Sequence, residues 1–124
     1  MSSARPSSAT DRRSAHRQTV AYRLDVLTNE GEVGCLLDLS LTGMRMRFKG
    51  EPDLVGVAAL TLEFPRWLEL GEGVTLGGRF AWMSRRDKGV VEYGFAFDGL
   101  GRKEQDVLAV LIQRLAEAQA EDLG

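Results

Sequence analysis

Residues 44–48 read Met44-Arg45-Met46-Arg47-Phe48, an unbroken alternation of apolar and charged side chains. In an extended chain successive side chains point to opposite faces, so the methionines and the phenylalanine share one face and the two arginines the other. The pattern predicts a half-buried strand. On its N-terminal side Ser40-Leu41-Thr42-Gly43 supplies a turn, and Glu32 to Leu39 forms a second strand running into it. Earlier still, Thr28-Asn29-Glu30-Gly31 is a turn and Ala21 to Leu27 a strand. Three consecutive antiparallel strands are the natural arrangement.

Beyond Phe48 the same punctuation continues. Lys49 to Asp53 is a polar break containing Pro52, and Ala58 to Phe64 is a strand with Leu60, Leu62 and Phe64 on one face, closed by Pro65. Trp67 to Leu70 reads as a short strand or edge segment, followed by a turn at Gly71-Glu72-Gly73. Val74 to Ser84 is a long strand, joined through the charged loop Arg85-Arg86-Asp87-Lys88-Gly89 to Val90–Phe97. The period then changes: between Arg102 and Ala120 the residues Val107, Leu108, Leu111, Leu115 and Ala118 fall on one helical stripe. Fourteen glycines, about 11% against an average near 7%, suit many tight turns. The expected fold is all-β or mainly β: a six- to seven-stranded antiparallel barrel, which removes most exposed edges by closing, with one C-terminal α-helix packed on it.

The totals describe one ordinary domain of 124 residues, 44% apolar and 27% charged, with a net charge of −2. The total hides an asymmetry. Residues 1–20 carry Arg5, Arg12, Arg13 and Arg17 against Asp11, which makes them +3 and leaves −5 for the rest. From Ser2 to Gln18 there is no large apolar residue to offset ordering entropy by burial. Residues 1–18 are therefore expected to be a flexible basic arm, and residues 19–120 the barrel with its helix.

Cys35 is the lone cysteine, expected as a packed core thiol in a reducing compartment. No apolar run approaches the ~20 residues of a membrane-spanning helix, and the first residues lead into no signal-peptide core. The reading is a cytoplasmic protein with no membrane insertion.

Catalytic chemistry has little to work with. The one histidine, His16, lies in the arm, no cluster of metal-ligating spacing exists, and Gly99-Leu100-Gly101 lacks the third glycine of a dinucleotide fingerprint, position 104 being Glu104. Neither an enzyme, nor a cofactor, nor a metal is expected. Two features remain. Arg13 and Arg17 are spaced R-x-x-x-R, and Asp38-Leu39-Ser40-Leu41-Thr42-Gly43 has the form D-x-S-x-x-G. Asp38 and Ser40 are two apart, which on an extended chain puts both side chains on one face, while Gly43 can take φ > 0 and turn the chain into the next strand. A carboxylate beside a hydroxyl accepts from adjacent N–H donors such as guanine's Watson–Crick edge. Arginines supply planar forks to phosphate or to guanine O6 and N7. About one R-x-x-x-R pair is expected by chance in such a chain, and D-x-S-x-x-G on the order of once in twenty chains. Their order, arginines just before the first strand and the acidic turn just after the second, is what points to a pocket for guanine and phosphate together.

On these motifs the sequence resembles the PilZ domain family, small bacterial β-barrels that bind cyclic di-GMP, over essentially everything from Arg12 to the final helix. Trp82 and Gly94-Phe95-Ala96-Phe97 are similar to weaker positions of the family. The resemblance implies a PilZ-type barrel whose ligand, cyclic di-GMP, is bound between arm and barrel by Arg12, Arg13, Arg17, Asp38, Ser40 and Gly43. The arginines would clamp phosphates and stack on or bond to guanine, Asp38 and Ser40 would read a guanine edge, and Gly43 would shape the turn. A protein effector, not identified by the sequence, would read the altered surface. The alternative is a PilZ-fold interaction module that binds no cyclic di-GMP. A nucleic-acid partner fits less well, because exposed aromatics are sparse and the barrel is net negative.

Overall fold

The computed structural model describes residues 18–20 and 22–123. Seven strands and a helix follow one another as β1 (Gln18–Thr19), β2 (Asp25–Leu27), β3 (Val33–Leu39), β4 (Gly43–Lys49), β5 (Ala59–Glu63), β6 (Gly73–Arg85), β7 (Val90–Phe97) and α1 (Arg102–Leu123). All the pairings are antiparallel. The ladder β3-β2-β5-β6-β7-β4 closes on itself through β3–β4, giving a six-stranded barrel, and β1 adds to the edge of β3 that β2 leaves uncovered. The expected architecture forms. No helix among the described residues is long and apolar enough to cross a membrane.

Alternation places the core as the sequence suggests. Met44, Met46 and Phe48 are buried and face Leu39, Leu36, Phe95 and Tyr93 across the ladders, while Arg45 and Arg47 stand outside. Leu60, Leu62 and Phe64 are buried as expected. In α1, Leu108, Leu111 and Leu115 have no exposed surface and join the barrel leucines in one cluster, with Val107 and Ile112 at its margin.

Three local expectations are corrected. The first strand, expected over Ala21 to Leu27, is shorter: Ala21 lies outside the described residues, and of residues 22–27 only Asp25–Leu27 forms β2. Tyr22 turns toward the helix instead, donating to the Ala118 carbonyl at 3.2 Å and meeting Trp67 edge-on at 5.1 Å between centroids. Trp67 to Leu70 is not a strand: Arg66–Leu68 is a 3-10 turn that follows Pro65 and ends at Glu69 with φ 55°. Leu68 is fully buried there, and Arg114 of α1 donates to the Leu68 carbonyl, so helix packing overrides the β-propensity of the segment. Cys35, finally, is not in the core. Gly34 and Leu36 take the inward positions, leaving the thiol half-buried on the outer face between Asp25 and Arg47.

Candidate functional site

The turn between β3 and β4 is built by one hydroxyl. Ser40 Oγ accepts from the backbone N–H groups of Thr42 and Gly43, each at 3.2 Å, and lies 3.1 Å from Thr42 Oγ1 and 3.2 Å from the Gly43 carbonyl oxygen. The Ser40 N–H also donates to that carbonyl at 2.9 Å. With one donor and two lone pairs, the hydroxyl is fully engaged, and Ser40 has no exposed surface. β3 ends at Leu39, so the strand alternation that would put Ser40 on the face of Asp38 stops one residue too early. Ser40→Ala is accordingly expected to lower unfolding free energy by about 1–3 kcal/mol, because the buried Gly43 N–H and the part-buried Thr42 N–H lose their acceptor. Urea denaturation checks this, and an unchanged midpoint contradicts it.

Gly43 is needed for space rather than for an unusual backbone angle. It lies in β4 and is absent from the positive-φ glycines, but a Cβ there would sit 2.7 Å from the Phe95 carbonyl oxygen across the ladder. The expectation of a left-handed turn residue is thus corrected: close strand approach excludes a side chain.

Asp38 occupies the last outward position of β3, opposite Thr19 of β1 on one side and Arg45 of β4 on the other. Its side chain is only 7% exposed, and its Oδ2 lies 2.8 Å from Arg45 Nε. Next in the row comes Gly94 of β7 opposite Arg45, then Trp82 of β6 opposite Gly94. A Cβ on Gly94 would fall 2.1 Å from the Trp82 ring nitrogen, so the indole lies directly on the glycine. Asp38 and Arg45 on one side and Trp82 on the other enclose a concavity of about 680 Å³, floored by Gly43, Gly94 and Ala96. A carboxylate, a guanidinium and a half-exposed indole around a small-residue floor can hydrogen-bond and stack a flat polar ring.

One row further along, Glu92 carries a carboxylate 9% exposed. It accepts a hydrogen bond from Arg86 at 3.2 Å and lies 3.6 Å from Arg45 and 3.7 Å from Arg47. This part of the outer face therefore holds more arginines than carboxylates, although the chain outside residues 1–20 is net negative. Among the described residues no group of three or more His, Cys, Asp or Glu is placed to hold a metal.

Of the six residues singled out from sequence, the structure brings Asp38, Ser40 and Gly43 into one turn beside the concavity, while Arg12, Arg13 and Arg17 lie outside the described residues. Sequence reasoning left Arg45 and Glu92 out of the site. The signal for Arg45 was present: alternation made it outward-facing, and counting back through a tight turn from Met44 and Leu39 sets it opposite Asp38. Glu92 reads as one charged residue in an apolar strand, and nothing local says which arginines meet it.

The family model of the PilZ domain matches residues 11–114. No curated protein matches by sequence. Among solved structures, the chain is similar to the PilZ domain with c-di-GMP of YcgR from Escherichia coli, at 18% identity and TM-score 0.71, covering 90% of this chain and 97% of that one. It also matches full YcgR in complex with c-di-GMP, at 18% identity and TM-score 0.67, covering 91% of this chain and 51% of that one. The apo state of MrkH from K. pneumonia follows at 17% identity and TM-score 0.59, with 86% and 52% covered. The chain thus spans about half the length of those two proteins.

Proposed function

Because the chain belongs to the PilZ domain family, a family of receptors and adaptors rather than enzymes, we propose that it is a receptor for cyclic di-GMP. The messenger binds on the outer face of the barrel between residues 12–17 and the concavity of Asp38, Arg45 and Trp82. It acts in the cytoplasm, to which a lone unpaired thiol is suited, and passes the signal to a protein effector that reads the ligand-covered face.

The observation that carries this reading is the placement of β1. Gln18 pairs with Leu39 and Thr19 with Asp38, so the chain enters the barrel at the edge of the acidic turn. Arg17 is bonded to Gln18, and trans peptide geometry sets consecutive Cα atoms about 3.8 Å apart. Arg13 is four residues further back, a span of at most ~14 Å, which is within reach of a ligand in the concavity. Arginine forks from residues 12, 13 and 17 take the phosphodiesters and a guanine Hoogsteen edge, Asp38 accepts from guanine N1–H and N2–H, and Trp82 offers a face for stacking. Ser40 contributes by holding the turn that presents Asp38.

Calorimetric titration with cyclic di-GMP, combined with backbone amide spectra, tests this. Saturable heat is expected at tens of micromolar protein, with amide shifts at Arg13, Arg17 and the turn of residues 38–43. A folded protein that yields no heat and no shifts is instead a PilZ-fold interaction module without this ligand. Equal binding of any nucleic acid, with steep salt dependence, would mark an electrostatic nucleic-acid binder.

A further inference from the structure

Asp38 and Arg45 stand side by side in the concavity, and the pair carries more information than either residue alone. The Arg45 guanidinium is held from two directions. Its Nε lies 2.8 Å from Asp38 Oδ2, and its Nη1 lies 3.6 Å from Glu92 Oε1. Both carboxylates are more than nine-tenths buried, and Glu92 is held in turn by Arg86 and Arg47. The Nε–H is buried and makes no hydrogen bond despite the short ionic contact, so the guanidinium plane is not aligned on Asp38 alone. The Arg45 side chain, 38% exposed, lines the concavity.

A carboxylate beside a planar donor is a two-letter code for a base edge. Along guanine's Watson–Crick edge two donors, the 2-amino group and N1–H, are followed by the acceptor O6. Adenine reverses the last two, with an acceptor at N1 and an amino donor where O6 would be. Asp38 followed by Arg45 matches the first order and opposes the second at both positions.

We propose that Arg45 is a specificity-determining residue that donates to guanine O6 while Asp38 takes the two donors. Glu92 is its positioning residue, which keeps the guanidinium from rotating wholly onto Asp38. The inference rests on the cyclic di-GMP reading, and it adds a reader for O6 on the Watson–Crick side, apart from the Hoogsteen contacts given to the arginines of residues 12–17.

The test is a protein–ligand double cycle. Wild type and Arg45→Lys are titrated with cyclic di-GMP and with the cyclic dinucleotide of 6-thioguanine, whose sulfur accepts poorly while both donors to Asp38 remain. Lysine keeps the charge and loses the planar fork. Arg45→Lys should weaken cyclic di-GMP by about tenfold or more, and should weaken the thio analogue much less. Equal losses on the two ligands, or none on either, overturn the proposal even if wild type binds well. Failure of wild type to bind cyclic di-GMP overturns the receptor reading and this inference with it. Thermal unfolding checks that the variant folds. If it does not, Glu92→Gln, which retains Arg45 and loosens its hold, should show the same asymmetry, and equal losses there are equally fatal.

Discussion

Asp38→Ala will reduce cyclic di-GMP affinity by about 2–5 kcal/mol, roughly thirtyfold to several thousandfold. The size follows from burial. Among the described residues Asp38 is the one carboxylate lining the concavity, with a side chain 7% exposed, and a ligand seated there excludes the remaining water. Two guanine donors then lose a charged acceptor in a desolvated site, where an unpaired polar group costs most. Asp38→Asn separates charge from shape: its amide oxygen can still accept from one guanine donor while its NH2 opposes the other, so it should bind between alanine and wild type if the donor pair is what Asp38 reads. The barrel should survive either change, because Arg45 retains Glu92 as its second anion. Calorimetry on both variants, alongside their thermal unfolding, provides the measurement. Wild-type affinity in a folded Asp38→Ala protein would remove the carboxylate from the site.

The largest effect on stability is expected from Phe95→Ala. Phe95 points inward from β7 with 2% exposure and packs edge-to-face against Phe80 at 5.0 Å and Phe97 at 6.3 Å between centroids. Removing its ring leaves a cavity that a closed barrel can collapse only partly, costing about 3–5 kcal/mol. For a domain of this size that corresponds to a fall in Tm on the order of 10–20 °C. Its neighbours Gly94 and Ala96 floor the concavity on the other side of the same strand, so the loss should reach ligand affinity as well. Circular dichroism melts with and without cyclic di-GMP read both effects. A shift of only a few degrees would mean that the ring is not a core element.

The barrel was legible because its strands carry their own period. In β4 and β5 the alternation of apolar with polar side chains is complete, and the turns between elements are rich in Gly, Asn, Asp and Pro. Legibility failed where a distant element decides the conformation. Nothing near Trp67 announces that Arg114 will bond to the carbonyl of Leu68, or that Tyr22 will leave its strand for the helix. The role of Ser40 was misplaced for a related reason, since its partners are backbone N–H groups that exist as a set only once the turn has closed.

For the site, the residue types and their order were written in the chain: arginines ahead of the first strand, Asp38 at the end of the third, Gly43 opening the fourth. Those are local facts, set by side-chain chemistry and a period of two. The pairing of Asp38 with Arg45, the seat of Trp82 on Gly94 and the gathering of arginines about Glu92 are register facts. They depend on which residues stand opposite one another across three ladders, and two strand irregularities, at Leu37 and at Ala81, shift that register by a residue. One-residue shifts move a side chain to the other face of a sheet. So, while the tight turn already set Arg45 opposite Asp38, only the closed barrel could decide which arginines gather about Glu92 and that Trp82 sits on Gly94.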